Sequence, residues 1–200
     1  MRYTSLLSFV SLLALGCSAP ASDSAALPSP SSLLAGLGVD LSNYLPDPGN
    51  AAQTCKILNA LFPRNETFTV ASPLYTPLYE IPWSQTCWLQ PACIMTPNNP
   101  KELSIMVRVL TVLRTKFAIR GAGHKPTPGF NGIGSDGVLL AMQNLKNLAM
   151  SSDKKTVTVG AGNRWRDVYT FVRPYNVAVV GGREPMVGVT GFLLGGMYQP

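Results

Sequence analysis

Histidine is nearly absent from this chain of 200 residues, in which His124 is the only one. Cysteine is scarce as well, with four residues, and their spacing forms neither a CxxC pair nor the Cys and His pattern of a zinc finger. A structural zinc ion takes about four nitrogen or sulfur ligands. The sequence therefore excludes a structural zinc site, and we predict no bound metal.

Charged residues are also few, at 13% of the chain, whereas 46% of the residues are hydrophobic, so the chain can bury a sizeable core. The net charge is +6, but the basic residues are scattered and form no stripe with interleaved aromatic residues. Proteins that bind nucleic acid usually cluster their lysines and arginines on one face. We therefore expect no nucleic-acid partner.

No apolar run reaches the roughly 20 residues that a membrane-spanning helix requires. The run at residues 6–15 leads to small residues at Ala19 and Ala21, which is the layout of a secretory signal peptide. We predict that residues 1–21 are a signal peptide and that the mature protein is extracellular, without a membrane anchor. Residues 22–50 are rich in Ser, Pro and Ala and predict a disordered leader.

Secretion places the cysteines in an oxidising compartment, where thiols pair. One of the four cysteines leaves with the signal peptide, so the remaining three allow one bridge and one free thiol. Cys55 falls in a predicted helix and Cys93 in a predicted strand, whereas Cys87 lies in an irregular crossing rich in proline and aromatic residues. We predict a Cys55–Cys93 disulfide and a free Cys87. The sequon at Asn65 is consistent with a glycan on a surface loop.

Hydrophobic periodicity and capping residues predict three helices and five strands after the leader. The predicted helices are 51–61, 100–116 and 164–172. Asn99 with Pro100 marks the start of the second helix, and Asn163 is predicted to cap the third. The predicted strands are 92–95, 117–120, 138–142, 156–159 and 177–180, with a polar turn at 151–155 that joins the third strand to the fourth.

The first two strands and the helix between them form a βαβ unit within an α+β fold. Ligands of such units bind in the loop that follows a strand, which here is residues 121–137. That region begins with the string RGAGH at residues 120–124. Its small residues let backbone N–H groups converge on an oxygen-rich anion such as a diphosphate, and Arg120 adds positive charge.

A second glycine-rich string, at residues 132–137, satisfies the GxGxxG pattern of nicotinamide-binding folds. That pattern requires a strand before it and a helix after it. A proline-rich loop precedes this string, and an apolar strand follows it. We therefore predict no nicotinamide-binding site there.

Six sequence strings occur in an order that is typical of one family. They are FAIRGAGH at 117–124, PGF at 128–130, GVLL at 137–140, TVTVGAG at 156–162, WRDVY at 165–169 and the glycine-rich run at 181–196. Together they resemble the FAD-binding domain of the p-cresol-methylhydroxylase type, in the branch of berberine-bridge-enzyme-like and oligosaccharide oxidases. The resemblance implies a secreted FAD-linked oxidoreductase whose FAD-binding domain occupies residues 51–200.

The resemblance also implies where FAD would bind. Residues 120–125 would wrap the FAD diphosphate, and His124 would bond through a ring nitrogen to the 8α-methyl group of the flavin. Neutral imidazole is a good nucleophile, and a covalent bond keeps the cofactor on an exported protein. The cofactor-binding residues that we predict are Arg120, Gly121, Ala122, Gly123, His124, Lys125, Gly129, Gly182, Gly188 and Gly191.

Several residues depart from the pattern of this family. Ala122 and Lys125 stand where relatives usually carry glycine and a small polar residue, which predicts a tighter and more cationic diphosphate loop. Glu184 stands where doubly linked relatives carry a second attachment cysteine, so we expect a single covalent bond. Thr190 replaces a glycine in the turn at 188–191.

Members of the family continue beyond the length of this chain with a substrate-binding domain and a returning segment of the FAD domain. We therefore expect a domain truncated before the substrate domain, inactive by itself, and we name no catalytic residue. The implied reaction is oxidation of an alcohol, sugar or benzylic carbon by hydride transfer to FAD. Its partners in the full-length form would be a small-molecule substrate and oxygen as the acceptor. Two alternatives are a non-catalytic secreted flavin-binding or interaction protein and a secreted structural protein without a cofactor.

Overall fold

The computed structural model describes residues 35–36, 49–63 and 66–195. The predicted signal peptide, Asn65 of the sequon and nearly all of the predicted leader lie outside the described residues. Within the described part of the chain, no helix is long and apolar enough to cross a bilayer.

A four-stranded sheet and a two-stranded sheet organise the described chain. The first has the order β1-β2-β4-β3, with β1 Thr67–Phe68, β2 Cys93–Met95, β3 Lys116–Arg120 and β4 Gly137–Ala141. β4 is parallel to both β2 and β3, whereas β1 is antiparallel to β2. The second sheet pairs β5 Leu148–Met150 with β6 Val157–Val159. The helices are α1 Ala51–Leu61, α2 Tyr75–Tyr79, α3 Pro100–Val112, α4 Trp165–Val172 and α5 Val189–Leu194.

The βαβ unit consists of β2, α3 and β3, with β4 inserted between the two strands in the sheet. β4 is buried on both faces, which explains its uninterrupted apolar sequence. Val138 and Leu140 face a core shared with α1 and α3, whereas Leu139 and Ala141 face a second core that includes Tyr75 of α2. Burying a leucine side chain contributes about 1.5 to 3 kcal/mol. The two cores therefore fix β4 and, through it, the neighbouring strand β3.

Asparagine caps begin both helices of the first core. Asn50 Oδ1 accepts a hydrogen bond from the first turn of α1, which spans the predicted residues. Asn99 Oδ1 accepts from the backbone N–H of Glu102 at 3.0 Å, and Pro100 occupies the first position of α3 as predicted. α3 ends at Val112 rather than at residue 116, because Arg114 adopts the left-handed conformation with a φ of 52°.

A third core forms around Trp165, between α4 and the two-stranded sheet. A Cβ on Gly181 would lie 2.3 Å from Trp165 Cζ3, and one on Gly182 would lie 2.6 Å from Trp165 Cδ1. The ring of Phe192 in α5 meets the same indole edge to face, with centroids 5.2 Å apart. The two glycines therefore let the chain pass directly over the tryptophan face.

Three predictions for this region are wrong. Residues 177–180 are not a strand, because no strand in the described chain supplies the hydrogen bonds that a sheet requires. The turn at 151–155 joins β5 to β6, and not β4 to β6. The N-cap of α4 is Arg164 rather than Asn163, whose buried amide donates to the Gly160 carbonyl at 2.9 Å.

The predicted Cys55–Cys93 disulfide is confirmed, and Cys87 is a buried free thiol. The bridge links α1 to β2 at a sequence separation of 38 residues. Both cysteines belong to the first core, so the cross-link joins elements that also pack against each other.

Reduction of this bridge is expected to lower the free energy of unfolding by about 3 to 4 kcal/mol, because a loop of this length restores that much entropy to the unfolded chain. Urea unfolding with and without a thiol reductant measures the change. The Cys55→Ala/Cys93→Ala double variant is the control, since a reductant should leave its midpoint unchanged. Equal midpoints for the oxidised and reduced wild-type chain would contradict the expectation.

Candidate functional site

The candidate loop, residues 121–136, begins at the carboxyl end of β3 and ends at the start of β4. β3 is the edge strand of the sheet in the described chain, and Arg120 is its last residue. Ligands of open α/β sheets bind beyond the carboxyl ends of the strands. Gly123 has a φ of 74°, in the region that favours glycine, so the chain turns sharply just before His124.

Arg120 is the largest side chain that the described structure buries almost completely, with 1% of its surface exposed. Its Nε and Nη2 atoms have no hydrogen-bond partner among the described residues. Burial, and then the nearby charge of Arg164, lowers the pKa of Arg120 to about 10, so the guanidinium stays charged at neutral pH. A buried charge without a partner is costly, and an anionic ligand would offset that cost.

Arg164 connects this loop to the glycine-rich segment, defined here as residues 181–195. Its Nη2 donates to the Ala122 carbonyl at 3.2 Å, and its Nη1 donates to the Met186 carbonyl. The carboxylate of Asp167 accepts from the backbone N–H of Arg164 at 2.9 Å and so holds its position. No motif in the sequence marks Arg164 as a site residue, and only the folded chain shows its role.

Two glycines let the loop and the glycine-rich segment approach closely. A Cβ on Gly188 would lie 2.7 Å from the Ala122 Cβ, which is closer than non-bonded carbon atoms pack. A Cβ on Gly121 would lie 3.3 Å from Thr190 Oγ1, and that hydroxyl donates to the Ala161 carbonyl at 2.8 Å. Thr190, the departure from the family's glycine, therefore braces this contact with its hydroxyl.

His124 presents its imidazole ring to solvent. No described group hydrogen-bonds the ring, whereas the His124 carbonyl accepts from Trp83 Nε1 at 2.7 Å. The ammonium of Lys125 lies 4.5 Å from the ring centroid of Phe130. The loop thus carries one exposed nucleophilic nitrogen beside a cation that rests on an aromatic face.

The remaining predicted glycines make no described contact with residues 120–125. Gly129 has a φ of 82° in an exposed turn, and neither it nor Gly191 of α5 has an atom within 4 Å of an added Cβ. The Gly182 carbonyl accepts a hydrogen bond from Tyr169 Oη at 2.7 Å. Gly182 also lines an open groove of about 840 Å³, and no residue of the loop lines that groove. The structure therefore brings the loop together with Gly188 and not with the other three glycines, and the cofactor roles of all the predicted residues stay predictions.

Comparison with known families shows which cofactor-binding family the chain belongs to. Residues 91–200 match the model of a family described as FAD binding domain. The chain is a member of this FAD-binding family. The resemblance to FAD-linked oxidoreductases of the p-cresol-methylhydroxylase type is thereby confirmed, together with the α+β fold class. The predicted start of the domain at residue 51 stays a prediction.

Fungal relatives of this FAD-binding chain have names that also describe FAD-dependent enzymes. The chain is 50% identical over 147 residues to the FAD-dependent monooxygenase macF of Penicillium terrestre, a match that covers 74% of the chain and 28% of macF. It is 53% identical over 138 residues to the FAD-dependent monooxygenase yanF of Aspergillus niger, covering 69% and 24%. The chain therefore spans about a quarter of the length of these relatives.

Solved structures share the fold at lower identity. A variant of BBE-like 1 from Physcomitrella patens has a TM-score of 0.59 and 22% identity, covering 71% of this chain and 30% of that one. A glycopeptide hexose oxidase complexed with teicoplanin has a TM-score of 0.55 and 21% identity, covering 62% and 25%. At these identities the likeness establishes the fold and nothing further.

The residues of the loop fit the diphosphate of FAD. The unpartnered N–H groups of Arg120 can donate to an anion, and Arg164 adds a second positive charge nearby. Gly188 lets the glycine-rich segment approach the loop closely. Guanidinium groups bind phosphate oxygens through directed, charge-assisted hydrogen bonds. No cluster of three His, Cys, Asp or Glu side chains occurs within the described ranges.

Proposed function

We propose that this FAD-binding chain holds its flavin covalently through His124, as the cofactor-anchoring part of a secreted oxidoreductase. The observation that carries the proposal is the buried, unpartnered guanidinium of Arg120 at the base of the loop that bears the exposed imidazole. FAD carries its charge on the diphosphate and its reactive ring at one end. A site for that charge beside an exposed nucleophile suits such a molecule.

The proposed bond joins a ring nitrogen of His124 to the 8α carbon of the flavin. The imidazole N–H and one C–H of the 8α-methyl group break, and dioxygen takes up the two protons and two electrons to form hydrogen peroxide. One imidazole, one FAD and one dioxygen thus give one histidyl adduct and one hydrogen peroxide. Glu184 stands where a second bond would need a cysteine, so the proposal contains a single bond.

When bound, FAD supplies a two-electron acceptor for a C–H bond. The relatives macF and yanF are named FAD-dependent monooxygenases, and one structural neighbour is named a hexose oxidase. For the full-length protein we propose oxidation of an alcohol, sugar or benzylic carbon by hydride transfer, with dioxygen as the acceptor. The part played by this chain is to bind and hold the cofactor.

The proposed location is extracellular, because residues 1–21 have the layout of a signal peptide. Outside the cell a free cofactor is lost by dilution. A covalent bond through His124 would keep the flavin on the protein under those conditions.

Titration of the FAD-free chain with FAD, FMN and riboflavin tests the proposal. We expect FAD to bind at least about tenfold more tightly than FMN or riboflavin, because only FAD brings a diphosphate to the two arginines. Flavin fluorescence measures the binding. After incubation in air and acid precipitation, the flavin should remain with the protein pellet.

Each result of this titration bears on a different part of the proposal. Riboflavin that binds as tightly as FAD would show that the arginines do not hold a diphosphate. FAD that binds and is then entirely released by acid would contradict the covalent bond and support the FAD site. A chain that binds no flavin would overturn both parts.

A further inference from the structure

The irregular crossing that precedes β2 runs beneath the candidate loop. Residues 82–89 of this crossing are called here the platform segment. A Cβ on Gly123 would lie 3.5 Å from Pro82 Cγ, and a Cβ on Gly132 would lie 3.5 Å from the Cys87 carbonyl oxygen. The platform segment therefore contacts the loop near both of its ends.

Two consecutive backbone carbonyls of the loop are held by side chains. Trp83 Nε1, on the platform segment, donates to the His124 carbonyl at 2.7 Å. Asn131 Nδ2 donates to the Lys125 carbonyl at 2.8 Å, and Cys87 Sγ donates to the same oxygen at 3.7 Å. Cys87 and Asn131 are buried, so water competes little for their bonds, whereas the bond from Trp83 is exposed to solvent. The contacts fix the two peptide units that follow the imidazole.

The imidazole ring has no hydrogen bond of its own, and its described ring contact is with the Trp83 indole, at 6.5 Å between centroids and an interplanar angle of 49°. The imidazole is exposed, and no described group hydrogen-bonds either ring nitrogen. Residues 125–130, which follow it, are exposed as well. The hydrogen-bonded carbonyls therefore fix the backbone of His124 and the point from which its ring extends, and the Trp83 indole limits the directions that the ring can take.

We propose that Trp83, Cys87 and Asn131 are positioning residues for the attachment of FAD to His124. This inference rests on the function proposed above. Bond formation requires the attacking nitrogen to be held in a near-attack geometry, which a freely moving loop reaches seldom. The three donors restrict the loop before the bond forms. They therefore act on the rate of attachment and leave the noncovalent affinity, which depends on the diphosphate site, unchanged.

Trp83→Phe tests the shortest of these contacts, because it removes the indole N–H and keeps an aromatic ring beside His124. Trp88→Phe is the matched control: Trp88 Nε1 donates at 2.7 Å to the Pro82 carbonyl, inside the platform segment and not on the loop. The FAD-free chain is mixed with excess FAD, and acid-stable flavin is measured over time. We expect attachment to be about tenfold slower in Trp83→Phe and within about twofold of wild type in Trp88→Phe.

Two further measurements separate positioning from a general loss of structure. In a His124→Ala background, where the proposed bond cannot form, Trp83→Phe should change the Kd for FAD by less than about twofold. Hydrogen exchange over residues 123–131 should be faster in Trp83→Phe than in Trp88→Phe. Asn131→Asp, which keeps the side-chain size and replaces the donor by a carboxylate oxygen, should also slow attachment.

The outcomes distinguish the positioning role from the function on which it rests. If the wild-type chain retains acid-stable flavin and the two tryptophan variants attach it at equal rates, the positioning role is wrong and the covalent bond stands. If the wild-type chain retains none, the covalent bond and the positioning role fall together. A matching rise in the Kd for FAD in the His124→Ala background would assign Trp83 to the binding site instead.

Discussion

Replacing Arg120 with methionine is expected to weaken FAD binding by at least about 100-fold and to stabilise the FAD-free chain by about 1 to 3 kcal/mol. The affinity falls because two charge-assisted hydrogen bonds to the diphosphate, worth about 1.5 to 3 kcal/mol each, are lost. The stability rises because the guanidinium is buried, has no partner for Nε and Nη2 and lies near the like charge of Arg164. The two effects therefore have opposite signs.

Flavin fluorescence titration gives the affinity, and urea unfolding of the FAD-free chain gives the stability. Arg108→Met is the control, because it removes the same charge from an exposed position on α3 and should change neither quantity. Arg120→Lys keeps the charge and should lose part of the affinity without the gain in stability. An Arg120→Met chain that is less stable than wild type and binds FAD normally would show that Arg120 serves packing.

The elements that the sequence predicts well are those with local signals. Asn99 and Pro100 announce α3, because the cap and the proline satisfy its first turn without help from the rest of the chain. The apolar run at 138–142 predicts a strand, and the structure has β4 there, buried on both faces. The Cys55–Cys93 pairing follows from two cysteines on elements that pack together. The signals for α3 and β4 lie within the elements themselves, whereas the disulfide joins two predicted elements across 38 residues.

The elements that the sequence misses depend on tertiary partners. β1 has two residues and β5 has three, which is too short for a periodic pattern, and each exists because a neighbouring strand pairs with it. Residues 177–180 show the converse, because their apolar sequence favours a strand and no described strand pairs with them. α2 and α5 have five and six residues, which is too short for a helical pattern to be recognised in the sequence.

The residues of the candidate site also differ in whether a local sequence pattern predicts them. The glycines and the imidazole of residues 120–125 are visible in one short string, because they lie consecutively after a strand. Arg164 and Trp83 are not, since they reach the loop across sequence separations of 42 and 41 residues. The sequence thus predicts which groups meet the cofactor, and the fold adds the groups that hold the loop in place.

His124→Ala is expected to abolish acid-stable flavin, because the chain contains no other histidine. The Kd for FAD should stay within about threefold of wild type, since the ring is exposed and surface substitutions of this kind change free energies little. Mass spectrometry of the intact chain after incubation with FAD measures the adduct. Wild type should gain the mass of one FAD less two hydrogens, and the variant should gain nothing.

Lys101→Ala is the control for this substitution, because it shortens an exposed side chain on α3, outside the loop, and leaves the imidazole in place. It should retain the adduct, and peptide mapping should locate the added mass on His124. Flavin that survives acid on the His124→Ala chain would move the bond to another residue and overturn the attachment. Loss of the adduct together with normal noncovalent affinity would instead separate the two tasks of the loop, since Arg120 would hold the cofactor and His124 would make its retention permanent.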